Sequence, residues 1–383
     1  MSDARFQELS QARSEGIPQL FERLEKLLMD LGDFHKLFDA RILRKKSELG
    51  LTLTRPSSLQ DVPQEHRKAV EDVYVAAARE VGGLFLSRGD ITNAWMYFQV
   101  IREPEKVREA LDRMVISPDD YERLDRMVQI ALYQGVHPVK GVEWMLKAHG
   151  TCSTITSLDQ CMHTLSAQHR GECAKLMVRT LYTDVVDSVR RHVEARIPML
   201  PPDEPLSSLI AGRDWLFEGG NYHIDVSHLN AVVRFSRSIE PPAPELGLAL
   251  QLAEYGSKLD APLQYGGDAP FDDFYPAHIQ FLKVLLDRNR DEALQYFRTK
   301  LEQEPDEQDK PVFAYVLVDL LMRSNRLEEA VDIGAKYLTS LGEDVSISFD
   351  ELCEKAGRLD VLQQVREQQE DLVGYVSALI RQS

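Results

Sequence analysis

Between Ala78 and Pro104 the sequence AREVGGLFLSRGDITNAWMYFQVIREP places two short amphipathic helices on either side of the turn Arg88-Gly89-Asp90. The first helix sets the small residues Ala78 and Gly82 among the large Val81 and Phe85, and the second carries Ala94 and Phe98 on one stripe. Small positions facing large ones let two helices approach closely and interlock. The stretch is therefore a helical hairpin, and Pro104 closes it.

The turn and second helix recur in the C-terminal third as DRNRDEALQYF (Asp287 to Phe297), RSNRLEEAVDI (Arg323 to Ile333) and KAGRLDVLQQV (Lys355 to Val365). The small packing position is Ala293, then Ala330, then Leu362, at spacings of 37 and 32 residues. This order of small, large, aromatic, turn glycine, alanine, aromatic and proline resembles a tetratricopeptide repeat, whose period of about 34 residues the spacings bracket. Pro305 falls where that family often places its proline. The resemblance implies stacked hairpins whose concave face grips an extended peptide or a helix from another protein. No repeated basic and Asn positions form a clamp for a carboxylate terminus, so the ligand class stays open. The last copy, with Leu362 at the small position, reads as a capping unit.

Taken in order, residues 1–50 form an N-terminal helical hairpin, broken at Gly32-Asp33 and ending in Arg41, Arg44, Lys45 and Lys46, where cations complement a helix C-terminus. A Pro- and Ser-rich loop over residues 51–63 separates it from a helical-hairpin array at 64–197. Stops at Gly89-Asp90, Pro104, Ser117-Pro118, Gly135 to Pro138 and Gly150-Thr151 punctuate that array, with Asp90 and Ser117 as expected N-caps. A long helix to Ile197 ends at Pro198, Pro201, Pro202 and Pro205. An irregular, proline-bounded insertion follows at 198–244, and residues 245–383 return to an acidic array of hairpins. Period-two runs of β-branched residues are scarce, so the expected class is all-α: stacked hairpins with one irregular insertion.

A chain of 383 residues with 43% apolar content can bury a large core. Residues 240–383 hold 28 Asp and Glu against 14 Lys and Arg, which accounts for most of the net charge of −17. Such a field opposes nucleic acid and anionic lipid and favours a basic segment of a polypeptide partner, although it also serves solubility alone. No basic start followed by an apolar core and no long apolar run is present, so neither a signal peptide nor a membrane span is expected. The four cysteines, Cys152, Cys161, Cys173 and Cys353, form no CxxC pair and suit reduced thiols in a cytoplasmic protein.

The strongest candidate for chemistry is His223-Ile-Asp225-Val-Ser-His228, with Trp215 and Tyr222 before it and Arg234 and Arg237 after it. Two imidazoles and a carboxylate supply most of a divalent-metal site. Their spacing differs from HExxH, and a structural reading needs less: Asp225 caps the next helix and the histidines hydrogen-bond locally. A second set, His149, Cys152, Cys161 and His163, has zinc-ligand residue types, but Cys161 also reads as a buried position of an amphipathic helix. The aromatic and acidic run Tyr265 to Pro276 is expected to fold its rings inward. No phosphate-binding glycine loop, serine elbow or dinucleotide fingerprint occurs. The expected function is a cytoplasmic interaction or scaffold protein that needs no cofactor. The competing reading is a metal-dependent hydrolase using His223, Asp225 and His228.

Overall fold

A computed structural model describes residues 2–117, 119–197, 200–339 and 348–382. It is all-helical, with nineteen α-helices and no strand among the described residues. Two of the expected helix stops, Pro118 and Pro198, lie outside those residues. No helix among the described residues is long and apolar enough to cross a membrane. The chain forms two compact units, Met1–Gly150 and Thr151–Ser383. The division falls within the 64–197 stretch, at Gly150, where φ of 74° and ψ of 179° interrupt a helical run.

In unit one, α1 (Ser2–Glu15), α2 (Ile17–Leu31), α3 (Phe34–Glu48), α4 (Gln64–Ser87), α5 (Ile91–Val100) and α6 (Glu105–Arg113) each pack on the next. After them come α7 (Tyr121–Val128) and α8 (Pro138–Cys161), the run that Gly150 interrupts. The cap expected at Ser117 is supplied three residues on by Asp120, whose carboxylate accepts from the Arg123 amide. Asp90 caps α5 as expected, accepting from the Asn93 amide at 3.1 Å. The cations at the end of α3 are spent internally. Arg41 bridges Glu25 at 2.5 Å and Glu80 at 2.8 Å, joining α2, α3 and α4. Lys46, only 1% exposed, donates to the carbonyls of Arg55 and Ser58 at 2.6 Å each and pins the 51–63 loop. A buried ammonium survives there because strong acceptors replace its water.

Unit two is built first around α9 (Ala167–Glu194), on which α10 (Leu206–Ile210), α11 (Val226–Phe235) and α12 (Pro244–Gly256) pack. The stretch read as an irregular insertion thus belongs to this core: Leu206, Leu209, Leu216 and Leu229 are all fully buried. Then follow α13 (Phe274–Leu285), α14 (Arg290–Gln303), α15 (Lys310–Arg323), α16 (Leu327–Tyr337), α17 (Phe349–Ala356), α18 (Leu359–Gln368) and α19 (Leu372–Arg381). From α12 onward each helix packs on the next, and α13 also touches α15 as α16 touches α18.

The recurring turns share a backbone requirement. Gly89, Asn289, Asn325 and Gly357 all take positive φ, at 73°, 48°, 61° and 68°. Glycine and asparagine tolerate this left-handed conformation best. Four or five residues later, Ala94, Ala293, Ala330 and Leu362 are fully buried. At the α4–α5 contact, a Cβ on Gly82 would lie 2.7 Å from the Phe98 ring, whereas one on the adjacent Gly83 would meet nothing within 4 Å.

This contrast makes a sharp test of the hairpin. Gly82→Ala should destabilise unit one by about 1–3 kcal/mol through overpacking, while Gly83→Ala should be neutral or stabilise by up to about 1 kcal/mol through helix propensity. Urea unfolding of both variants reads the difference, and equal midpoints would refute the α4–α5 packing.

Candidate functional site

His223 sits in the loop before α11 and meets partners distant in sequence. Its backbone amide donates to the Tyr255 hydroxyl at 2.9 Å, and that hydroxyl lies 3.0 Å from its own Nδ1. Its Nε2 lies 2.9 Å from Nδ1 of His192 on α9. The Asn221 amide nitrogen, fixed by donation to the Leu216 carbonyl at 2.8 Å, also approaches His192 Nδ1 at 3.4 Å. His192 Nδ1 is therefore the acceptor. It follows that His223 donates through Nε2–H and takes the Tyr255 proton at Nδ1, so both ring nitrogens are committed. Burial, with His192 beside it, pushes the His223 imidazole down to about 4 and favours the neutral ring. Trp215 packs edge-on against His192, with Arg196 over the indole at 4.2 Å.

Asp225 has a different task. It is the N-cap of α11, accepting from the Ser227 amide at 2.8 Å and the Ser227 hydroxyl at 2.6 Å, and these hydrogen bonds hold its carboxyl below the usual range. His228 follows within the first turn of α11. The sequence-adjacent trio is thus not gathered as a ligand set, and no group of three or more His, Cys, Asp or Glu able to hold a metal occurs among the described residues. The second set is dispersed too. The His149 ring faces Asp125 at 3.3 Å, Cys152 is exposed, and burial pushes the Cys161 thiol up.

A cationic groove in unit two gathers residues from helices far apart in sequence. One stretch of about 460 Å³ is lined by Asp159, His163, Arg170, Arg234, Arg237 and Ser238. A second, of about 450 Å³, shares Arg170, Arg237 and Ser238 and continues past Glu240, Phe281, Tyr315 and Asp319 to Arg323. Close approach creates it: a Cβ on Gly171 would lie 2.9 Å from the Ser238 carbonyl, so glycine lets α9 bring Arg170 beside residues 237 and 238.

Arg323, with a side chain only 9% exposed, holds the opposite wall. It donates to the carbonyls of Arg237, at 2.8 Å, and Ile239, and pairs with Asp319 at 3.2 Å and Glu240 at 3.4 Å. Arg234 pairs with Asp159 at 2.6 Å. Arg237 stacks on Phe271, its guanidinium carbon 4.5 Å from the ring centroid, and among the described residues only its Nε–H is engaged, with the Arg234 carbonyl at 3.3 Å. Burial and Arg234 push this guanidinium down to about 10, against the opposing pull of Asp268 and Asp319. Behind Phe271 lies the fully buried His278, which donates from Nδ1 to the Phe274 carbonyl and is pushed down to about 3 by burial. The run Tyr265 to Pro276 has thus folded Phe271, Phe274 and Tyr275 inward, while Asp272 and Asp273 pair with Lys300.

Arg234 and Arg237 stand out in the sequence as neighbours of the histidine segment, but nothing local connects them to Arg170 or Arg323. A second feature is the outer face of α19. Leu372, Val373, Val376 and Leu379 are 79%, 82%, 51% and 45% exposed, while Ala378 is buried. Comparison with known proteins found no matching family model, no similar curated protein and no similar solved structure.

The neutral histidine pair makes a pH prediction. His223 has a folded-state value near 4 against an ordinary 6.5, so the unfolded chain binds the extra proton between them and stability falls as pH drops through that window. Below about 4 the contribution levels off. His223→Asn removes the titration, so urea midpoints of parent and variant should converge on acidification; parallel curves would refute the buried neutral ring.

Proposed function

We propose that this chain is a polypeptide-binding scaffold built of hairpins that resemble tetratricopeptide repeats. The observation that carries the reading is the apolar face of α19. A solvent-facing stripe of Leu372, Val373, Val376 and Leu379 is unusual for a helix of a folded protein, whose apolar side normally turns inward. Arg381 on the same helix is tied to Asp350 and Glu354, and Arg366 joins Asp350 to Asp371, so the helix is held in place with that face outward.

Charge selects the occupant. Glu367 and Glu370 are exposed just before α19, within a C-terminal segment where acids outnumber bases two to one. An amphipathic helix with an apolar stripe and flanking Lys or Arg satisfies both features, giving helix-on-helix burial with charge complementarity at its rim. Consecutive packing from α12 to α19 supports the repeat-like reading, as does contact between helices two places apart. A cytoplasmic setting is part of the same reading, supported by four cysteines that are all free thiols.

The test is affinity capture from a lysate of the source organism with the full chain and with a Val373→Glu, Val376→Glu variant, at low and high salt. The parent should retain a polypeptide that high salt weakens, and the variant, with unchanged thermal stability, should lose it by on the order of tenfold or more. Equal retention by both, or no enrichment by the parent, would overturn the reading.

A further inference from the structure

The arginine groove of unit two has a charge balance at odds with the rest of the chain. In a protein of net charge −17, four guanidinium groups line one continuous depression. The carboxylates that line it are already used: Asp159 pairs with Arg234, and Asp319 and Glu240 pair with Arg323. Arg170 and Arg237 are left without an ion pair among the described residues. Arg170 makes one hydrogen bond, from Nη1 to the Leu165 carbonyl at 2.7 Å. Arg237 makes one, from Nε to the Arg234 carbonyl, and leaves its two terminal nitrogens to the groove. Asp268 and Asp319 both act on Arg237 electrostatically, but neither forms an ion pair with it.

These two guanidinium groups are placed, not loose. The Phe271 ring fixes the plane of Arg237, and Arg323 clamps the carbonyls of Arg237 and Ile239 on either side of Ser238. Gly171, next to Arg170, allows α9 to close on the Ser238 carbonyl. A half-buried cation without a counter-charge is costly, and an anion seated there would offset that cost. Four guanidinium groups against the three carboxylates Asp159, Glu240 and Asp319 leave the lining with a net positive charge, and the N–H donors of Arg170 and Arg237 that meet no carboxylate suit a compact anion with three acceptor oxygens.

We propose that the groove binds a phosphate monoester, held by Arg170 and Arg237, with Arg234 and Arg323 as charges fixed at either side. The group has two possible sources, a free phosphate ester or a phosphorylated side chain of a polypeptide. A simple carboxylate brings two acceptor oxygens where a phosphate monoester brings three, and so engages fewer of the N–H donors of two guanidinium groups.

Titration calorimetry on the full chain, at constant ionic strength, tests this with methyl phosphate, a short peptide containing phosphoserine, its unphosphorylated form, succinate and chloride. Saturable binding of both phosphate probes is expected, with Arg170→Gln or Arg237→Gln weakening each by about tenfold or more, the usual scale for a lost charge-assisted contact. A peptide that binds more tightly than methyl phosphate identifies a phosphorylated side chain as the source; equal affinities identify a free ester, and either result supports the site. Arg237→Gln also removes the stack on Phe271, so Arg170→Gln carries the test if the former unfolds. Succinate binding as tightly as the phosphate probes, heats matched by chloride, or Arg170→Gln binding like the parent would each overturn the assignment. The Val373→Glu, Val376→Glu variant should bind the phosphate probes like the parent, which separates this site from the α19 surface.

Discussion

Everything in this structure depends on how closely two helices can come together. Helices of ten to fifteen residues are marginal alone and persist by burying a stripe against a neighbour. The neighbour approaches only where one side offers almost no side chain. Gly82 against Phe98 provides this in unit one, and Gly256 against the Tyr275 ring provides it in unit two. Ala94, Ala293 and Ala330 extend the device, each fully buried one turn after a left-handed residue reverses the chain. Turn and small residue form one mechanism: the turn aims the second helix back, and the small residue lets it land.

The same close approach shapes the arginine groove. Gly171 brings α9 against Ser238 without a space between them, and this places Arg170 beside Arg237. Arg323 then takes up the carbonyls of Arg237 and Ile239, which lie beyond the end of α11. Helix ends leave carbonyls unsatisfied, and a cation is their natural partner. Architecture and electrostatics are therefore linked, since the arginines that close the helix ends also charge the groove. An acidic chain acquires a local cationic site without a basic run in its sequence.

The hairpins were legible because their determinants are local. Periodicity, a turn residue tolerant of positive φ and an alanine four or five residues after it all lie within one short window, as in Arg323 to Ile333. Asp225 was legible as a cap for the same reason. The histidine partners were not. His223 meets His192, 31 residues earlier, and Tyr255, 32 residues later, because α9 and α12 pack side by side. The groove was further from view, since Arg170 and Arg323 share no sequence pattern. The basic residues ending α3 were visible, but their role lies in partners on α2, on α4 and in the 51–63 loop.

Two surfaces of unit two therefore differ in kind. The α19 stripe is apolar and lies among acids, so water is displaced from it at little electrostatic cost and charge acts mainly at the rim. In the groove the order is reversed. Phe271 is buried beneath Arg237, and the ring serves as a support for the guanidinium. His278 behind it stays neutral because desolvation and the charges of Arg237 and Arg234 all disfavour a second cation there. With His278 neutral, the positive charge of this cluster rests on the guanidinium groups alone. The aromatic loop from Tyr265 to Pro276, whose rings the sequence already suggested would fold inward, thus supplies in Phe271 the floor on which Arg237 rests.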